Sequence, residues 1–409
     1  MRILFIHNNF PAQYRHLATL LASDPQNKVG FITQNTTVEL PGITKLVFEP
    51  TRKAHESTHV YVRAYENAVL EAQGVVRMLL SLKAKGFIPD VVCAHTGWGS
   101  AMFVKDIFPN TSLLLYCEWF TRYEGSNLDF DQTITRTLDE ILQYRASNAS
   151  ILVDLDACDA GIAPTHLQLA QFPKAFQPQI RVLHDGIDTD YFQPTPGVPL
   201  NLADLDLRAL AEVVTFVARG MDSYRGFPQF IEAIGKVLAR RPHCHAVVVG
   251  TDRIAYGAKP PTGESWKTWI LEELAKQNKP LDLTRVHFAG SLTYGELKRV
   301  YQASSVHVYL TKPFVLSWSL LEAMAMGCQI VASNTAPVQE VITDGVNGLL
   351  VDFFDVEALA ARIESALDDQ ERALGLRNQA RMTIVERYAL KDLLPQHRAW
   401  VESYVHSVS

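Results

Sequence analysis

The chain has 409 residues and a net charge of −6, from 38 Lys and Arg against 44 Asp and Glu. This length predicts two or three domains, each able to bury a core without disulfides or metals. A mildly acidic chain with no basic block argues against nucleic acid as a partner, and its apolar runs are shorter than the roughly 18 residues of a membrane span. Five cysteines without a Cys-x-x-Cys spacing, and no signal-peptide pattern in residues 1–7, indicate a cytoplasmic protein with reduced thiols.

Short β-branched runs alternate with segments of helical period along the first half of the chain. The predicted strands there are residues 2–7, 29–33, 45–48, 90–95, 113–117, 161–163 and 181–183. Near-continuous apolar strands separated by helices are typical of a parallel sheet that is covered on both faces. Residues 1–190 are therefore predicted to form a doubly wound α/β domain.

The same alternation resumes after a proline-rich stretch. The predicted strands of the second series are residues 213–218, 246–250, 286–289, 306–310, 329–332 and 349–351. Pro194, Pro196 and Pro199 indicate a linker over residues 191–206, followed by a second doubly wound domain over 207–389. A final helix over 390–409 is predicted to pack back on the first domain. We expect the two domains to face each other across a cleft, with ligands beyond the carboxyl ends of the strands.

Polar side chains surround two strand-to-helix turns of the second half. Arg219 and Arg225 flank the first turn, where guanidinium groups and a helix N-terminus together suit a phosphate. Ser317 and Ser319 are placed to cap a short helix beside an anion, and Glu322, in its first turn or so, could accept hydrogen bonds from two ribose hydroxyls. On these residues alone, two surface arginines and a glutamate that complements the helix dipole stay open as alternatives.

A long run in the second half resembles a known family. Residues 319–334, SLLEAMAMGCQIVASN, followed by Pro337 and by residues 340–351, EVITDGVNGLLV, resemble the donor-binding signature of glycosyltransferase family 4. Residues 182–188, the Arg219 and Arg225 pair, and residues 286–290 resemble three further elements of that family. The resemblance covers most of the chain.

The resemblance implies a GT-B fold of two Rossmann-like domains, with the acceptor in the first and a nucleoside diphosphate sugar held mainly by the second. It implies transfer with retention of anomeric configuration, without a bound metal or a cofactor. Arg219 and Arg225 would neutralise the diphosphate, Leu292 after Gly290 would lie against the base, and Glu322 would bind the ribose. The distal phosphate would be held by the backbone around Ser317, Trp318, Ser319, Leu320 and Leu321.

The chain departs from the family pattern at two places. The family has a second Glu eight positions before Glu322, which contacts the donor sugar, and Phe314 occupies that position here. The family's Gly-Gly loop after the first strand is replaced by residues 8–11, Asn-Asn-Phe-Pro. The first departure removes a candidate nucleophile, and the second removes the expected contacts to a phosphate on the acceptor.

Polar and aromatic residues that follow strands of the first half are candidates for the acceptor side. His95 ends the strand 90–95, where it could hydrogen-bond the transferring sugar, and the family has a matching His. A buried histidine satisfied by backbone is the alternative. Sugars are bound by aromatic faces together with acidic groups, which gives the further candidates Asn8, Asn9, Gln13, Glu118, Trp119 and Tyr123. The aromatic residues among them would equally fit a core or a peripheral membrane contact.

His243 and His245 would place two imidazoles on one strand face, which is a possible half of a metal site. Zinc sites need three or four ligands and no third is evident nearby, so no metal is expected. His287 and His307 are predicted to be structural.

The hypothesis that follows is a retaining hexosyltransferase that moves a sugar from a UDP- or GDP-linked donor to a hydroxyl acceptor. The acceptor could be a saccharide, a lipid-linked sugar or a small molecule, in the synthesis of polysaccharides, glycolipids or glycosides. Two alternatives stay open: a nucleotide-sugar-binding protein without transferase activity, and a GT-B-like nucleotide-sugar epimerase. A dehydrogenase is disfavoured because no Gly-x-Gly-x-x-Gly follows the first strand.

Overall fold

The computed structural model of the protein describes residues 1–198, 200–202 and 205–405. Residues 199, 203 and 204 of the predicted linker, and 406–409 of the predicted final helix, lie outside the described residues. The chain forms two units. The first is Met1–Gly186 with the described residues from Lys391 onward, and the second is Ile187–Leu390.

The first unit is built on a seven-stranded parallel sheet in the order β3-β2-β1-β4-β5-β6-β7. Its strands lie within two residues of the predicted ones at each end: β1 Arg2–Ile6, β2 Lys28–Thr33, β3 Ile43–Val47, β4 Val91–His95, β5 Ser112–Tyr116, β6 Ala160–Ala163 and β7 Ile180–Val182. Its helices are α1 Arg15–Ala22, α2 Val60–Ala84, α3 Val104–Ile107, α4 Leu138–Ser147, α5 Ala149–Ala157 and α6 His166–Gln171. Apolar clusters cover both faces of the sheet, which is why its strands read as continuous apolar runs.

The second unit repeats this plan with a six-stranded parallel sheet in the order β12-β11-β10-β13-β14-β15. Its strands, after the pair β8 Asn201–Leu202 and β9 Leu205–Asp206, are β10 Glu212–Gly220, β11 Cys244–Thr251, β12 Val286–Gly290, β13 Val306–Tyr309, β14 Ile330–Ser333 and β15 Leu349–Val351. Its helices are α7 Phe227–Arg240, α8 Trp266–Lys276, α9 Tyr294–Ala303, α10 Trp318–Ala325, α11 Ala336–Gln339, α12 Val356–Asp368 and α13 Gln370–Arg387.

The described part of the stretch 191–206 is not a plain linker. It belongs to the second unit and contains the antiparallel strands β8 and β9. Leu202 and the adjoining Leu207 are buried in that unit's core, with 7% and 1% of their surface exposed. Leucines at alternate positions hold this stretch against the core. Because the alternation is short and lies between prolines and acidic residues, it does not predict strands from the sequence.

The last helix, α14, spans Leu390–Val405. Val401 is fully buried in a cluster of the first unit that includes Leu21 and Leu183. Two hydrogen bonds add to this packing: the Ser112 hydroxyl donates to the Tyr404 carbonyl at 2.8 Å, and His397 Nε2 lies 3.0 Å from the His184 carbonyl.

Gly99 places the segment after β4 directly against α2. Its φ is +82°, and a Cβ there would lie 2.0 Å from the Ala68 carbonyl oxygen on α2. We expect Gly99→Ala to lower the free energy of unfolding by roughly 1–3 kcal/mol, through backbone strain and overpacking, as measured by urea denaturation. Gly125→Ala is the matched control, because Gly125 also has a positive φ, +69°, but nothing within 4 Å of its Cβ position. Equal losses in the two variants would show that the contact with α2 contributes nothing.

Candidate active site

A pocket of about 300 Å³ lies in the first unit at the edge where β4 and β5 end. Its walls come from α2, from the residues that follow β4 and β5, and from the junction of α4 with α5. The lining residues are Ala64, Asn67, Ala68, Glu71, His95, Thr96, Gly97, Trp98, Glu118, Trp119, Ser147 and Ile151. This is the edge at which ligands of parallel sheets bind.

His95 is buried in this pocket, with 3% of its surface exposed. Its ring stacks on Trp98, with centroids 4.2 Å apart and planes within 4° of parallel, and meets His7 edge-on at 4.9 Å. Nδ1 lies 2.7 Å from the Thr96 carbonyl oxygen, so the neutral ring carries its proton there and Nε2 is an acceptor. Nε2 is buried without a hydrogen-bond partner among the described residues, 3.6 Å from Glu118 Oε2. The alternative that His95 is a buried histidine hydrogen-bonded only by backbone therefore holds for Nδ1 but not for Nε2.

Two carboxylates of the pocket are each held by side-chain amides. Glu118 Oε1 accepts a hydrogen bond from Gln13 Nε2 at 2.9 Å. Glu71 Oε2 accepts from Asn8 Nδ2 at 2.5 Å and from Gln34 Nε2 at 3.1 Å. Burial raises the pKa of Glu71, and these two hydrogen bonds lower it in part. Asn8 and Gln13, which the sequence nominates for the acceptor, thus orient acidic groups.

The structure distributes the other acceptor candidates unevenly. Trp119 lines the pocket. Asn9 is exposed, and its backbone N–H donates to His7 Nδ1 at 2.9 Å. Tyr123 is absent from the described lining of the pocket, and its carbonyl accepts a hydrogen bond from Ser126. The structure therefore brings Trp119 to the pocket and leaves Tyr123 outside its walls.

Sequence reasoning missed Glu71, Trp98 and Asp154. Glu71 lies in the middle of α2, where only the fold brings it to the strand ends. Asp154 is fully buried in α5, and its Oδ2 accepts a hydrogen bond from the Gly97 N–H at 2.8 Å, which holds the segment that carries Trp98. Burial raises the pKa of Asp154 to about 7. The sequence does contain one indication of this role, because Asp154 is the one acidic residue within the apolar run 151–155.

In the second unit the two arginines occupy very different environments. Arg219 lies on β10 itself, because the strand extends to Gly220, and it is exposed. Arg225 is buried, and its Nη1 donates to Tyr309 Oη at 2.9 Å and to Thr311 Oγ1 at 2.7 Å. Its Nη2 donates to the Val315 carbonyl at 2.9 Å. Arg225 therefore stabilises the segment between β13 and α10, and its Nη1 and Nη2 groups donate to protein acceptors in this structure.

The N-terminus of α10 lies beside the end of β10. Ser317 is the N-cap, since its hydroxyl accepts a hydrogen bond from the Ser319 N–H at 3.3 Å. The Ser319 hydroxyl reaches the Val217 carbonyl on β10 at 3.5 Å. Residues 317–319 and Arg219 thus lie on the same edge of the second sheet.

The remaining donor-side candidates differ in what they expose. Leu320 and Leu321 are fully buried, and Trp318 and Leu292 are half-buried against the core of the second unit. Only the backbone of Leu320 and Leu321 could therefore contact a ligand, as the resemblance implies. Gly290 ends β12 with a φ of +65° and nothing within 4 Å of its Cβ position.

Glu322 is the fifth residue of α10, at the start of its second turn, and 6% of its surface is exposed. Burial raises its pKa to about 7, and a hydrogen bond with Tyr301 opposes that rise. The Tyr301 hydroxyl also donates to the Ser319 carbonyl at 3.1 Å. A buried carboxylate beneath the helix N-terminus is costly to keep in a protein without ligand, so we infer that stability is lost here as the pH rises.

We expect Glu322→Gln to stabilise the ligand-free protein at pH 8 but not at pH 5. The folded-state pKa of about 7 exceeds the ordinary 4.5, so the folded protein holds a proton that the unfolded chain releases, and the wild type loses stability between these values. The expected gain at pH 8 is about 2–3 kcal/mol in the free energy of unfolding. Urea denaturation at both pH values measures it. A gain of equal size at pH 5 would assign the effect to packing instead of ionisation.

His243 and His245 do not share a strand, because β11 begins at Cys244 and leaves His243 outside it. His245 pairs instead with His287 on the neighbouring strand, with Nδ1 and Nε2 3.1 Å apart and the rings stacked at 5.3 Å. Within residues 1–198, 200–202 and 205–405, no three His, Cys, Asp or Glu side chains are grouped so that they could hold a metal. No helix of the described chain is long and apolar enough to cross a bilayer.

Comparisons with known proteins agree on one family. The model of the glycosyl transferase family 4 group matches residues 25–192, and that of the glycosyl transferases group 1 matches residues 204–383. D-inositol 3-phosphate glycosyltransferase of Corynebacterium urealyticum is 26% identical over 253 residues, 60% of this chain and 54% of that protein. Alpha-maltose-1-phosphate synthase of Mycolicibacterium smegmatis is 25% identical over 268 residues, 62% and 65%.

The chain belongs to the family 4 glycosyltransferases. It spans about half to two thirds of the length of these curated relatives. Among solved structures, Anabaena HepE in complex with UDP has a TM-score of 0.70 at 18% identity, over 98% of this chain and all of that one. Sucrose-phosphate synthase of Thermosynechococcus elongatus has a TM-score of 0.71 at 18% identity, over 98% of both chains. The fold is GT-B, as predicted.

Phe314 stands where the resemblance places a second Glu on the donor side. Its ring meets Tyr224 at 5.6 Å and Tyr256 at 5.5 Å, both edge-on. The guanidinium of Arg225 lies over the Tyr256 ring at 5.2 Å. Phe314 therefore belongs to an aromatic cluster that packs on a buried cation.

Proposed function

We propose that the protein is a retaining glycosyltransferase that moves a sugar from a UDP- or GDP-linked donor to a hydroxyl of an acceptor bound in the first unit. The proposal rests above all on the juxtaposition of the α10 N-terminus with the strand that carries the exposed Arg219. Its support also includes the two curated relatives, named as a glycosyltransferase and a synthase, and the solved HepE complexes with UDP and UDP-glucose.

The donor chemistry follows from where charge develops. Cleavage of the anomeric C–O bond leaves a negative charge on the diphosphate. Arg219 and the positive end of α10 stabilise that charge more strongly in the transition state than in the ground state, which lowers the barrier. Because Phe314 replaces the carboxylate of the family, front-face attack is proposed, in which the leaving phosphate oxygen takes the proton of the acceptor hydroxyl.

His95 would act on the acceptor side. Its Nε2 is an acceptor in the neutral ring, and His95 lines the pocket, so the ring can receive a hydrogen bond from a sugar hydroxyl. Glu118 Oε2 lies 3.6 Å from that nitrogen. His95 therefore orients the reacting sugar, and the phosphate leaving group does the proton transfer.

The test begins with donor binding and ends with turnover. Calorimetric titration with UDP-sugars and GDP-sugars identifies the base, and incubation with acceptor panels, followed by NMR of the product's anomeric proton, reports transfer and stereochemistry. Retention with turnover supports the proposal. Donor binding without turnover across broad panels would favour a binding protein, and conversion of the donor sugar in the absence of acceptor would favour an epimerase.

A further inference from the structure

Among the residues that line the first unit's pocket, His95 has a buried nitrogen, Nε2, without a hydrogen-bond partner in the described chain. This nitrogen is an acceptor, as the contact of Nδ1 with a carbonyl requires. Behind the lining, the amides of Asn8 and Gln13 donate N–H groups to the carboxylates of Glu71 and Glu118, which makes both carboxylates acceptors. A ligand that hydrogen-bonds with His95, Glu71 and Glu118 must therefore bring hydrogen-bond donors.

The charge of the pocket also favours a ligand that brings hydrogen-bond donors. Its ionisable lining consists of Glu71, Glu118 and His95, and none of the described residues that line it is Lys or Arg. A phosphate monoester offers acceptor oxygens and a charge of nearly −2, so it would meet like charge and find no cation. A hydroxyl donates to a carboxylate and accepts in turn.

The apolar part of the pocket suits the face of a sugar ring. Trp98 stacks on His95 and keeps 37% of its surface exposed, and Trp119 lines the same pocket. Aromatic faces carry negative potential and attract the polarised C–H groups of a pyranose or cyclitol. Acceptor-rich walls and an aromatic face together fit an unphosphorylated polyol.

We infer that the acceptor of this enzyme is an unphosphorylated sugar or polyol whose hydroxyls are bound by Glu71 and Glu118, and that the pocket rejects phosphate monoesters. This inference rests on the proposed transferase function. Glu71 becomes a specificity-determining residue, which its position in the middle of α2 does not indicate.

The test compares matched probes that differ by one phosphate: myo-inositol with inositol 3-phosphate, and glucose with glucose 1-phosphate. In donor-free protein, tryptophan fluorescence reports binding, and Trp98→Phe identifies the part of the signal that arises at the pocket. In the presence of donor, kcat/KM is measured for each member. We expect the unphosphorylated member to be preferred roughly 10-fold or more in both measurements.

Variants locate the discrimination. Glu71→Gln and Glu118→Gln should each raise KM for the unphosphorylated probe about 10-fold, because the amide loses charge and acceptor capacity, and Glu71→Lys should narrow or reverse the preference. Asp156→Asn, at an exposed position on α5, is the carboxylate control and should change neither.

The outcomes separate this inference from the proposed function. Equal or better binding of the phosphorylated members, or binding of no unphosphorylated probe at millimolar concentration, overturns the inference whatever the donor does. Loss of discrimination in Asp156→Asn as well as in Glu71→Gln overturns the assignment to Glu71. Absence of any donor turnover while the polyol still binds instead overturns the transferase function and leaves the pocket chemistry in place.

Discussion

Arg219→Ala should lower kcat by about 10²–10³, equivalent to roughly 3–4 kcal/mol of transition-state stabilisation, and leave the melting temperature unchanged. The side chain is exposed at the end of β10, and the hydrogen bond that its residue makes with Thr251 uses the backbone carbonyl, which alanine keeps. Its guanidinium is therefore available to a diphosphate and contributes little to folding. Initial rates at saturating donor and acceptor measure the loss.

Two further variants sharpen that experiment. Arg219→Lys keeps the charge but loses the bidentate fork, so a partial loss is expected. Arg372→Ala removes an exposed arginine on α13 and should leave kcat unchanged. An undiminished kcat in Arg219→Ala would place this residue away from the leaving group and remove the main support of the proposed function.

Arg225→Ala should have the opposite profile, with a loss of about 3–5 kcal/mol in the free energy of unfolding. The guanidinium donates three hydrogen bonds to Tyr309, Thr311 and Val315, all of them buried or partly buried. Its removal takes one hydrogen-bond partner from each of these acceptors and opens a cavity beneath the segment that leads into α10. Urea denaturation measures the effect.

A conservative replacement distinguishes charge from geometry at this position. Arg225→Lys keeps one cation but cannot reach Tyr309, Thr311 and Val315 together, so most of the loss should remain. Nucleotide affinity in Arg225→Lys, measured under conditions where the variant is folded, should fall modestly through the displaced α10 N-terminus. A stable Arg225→Ala protein with abolished turnover would instead make Arg225 a direct ligand of the donor.

The strands of the two parallel sheets were predictable because burial on both faces of a sheet requires apolar runs, whereas the short antiparallel pair β8 and β9 was missed. The sequence could not predict that Arg219 is exposed and Arg225 is buried, because the two arginines differ only in the hydrogen-bond partners that the fold supplies. Glu71 was equally hidden, since nothing in the helical pattern of α2 indicates that its middle faces the end of β4. Local pattern thus predicts elements, and tertiary contact decides which polar residues become ligands and which become braces.

The second unit begins and ends at one point of backbone pairing. Ile187 N–H donates to the Tyr388 carbonyl and Leu390 N–H donates to the Ile187 carbonyl, both at 2.8 Å, so the first and last residues of the unit are bonded to each other. A domain whose first and last residues lie next to each other can be removed from a chain or inserted into another one without distortion of its backbone. We expect a gene fragment encoding residues 187–390 to fold by itself, and a short loop joining residues 186 and 391 to leave the first unit folded without it, as measured by cooperative urea denaturation of each fragment.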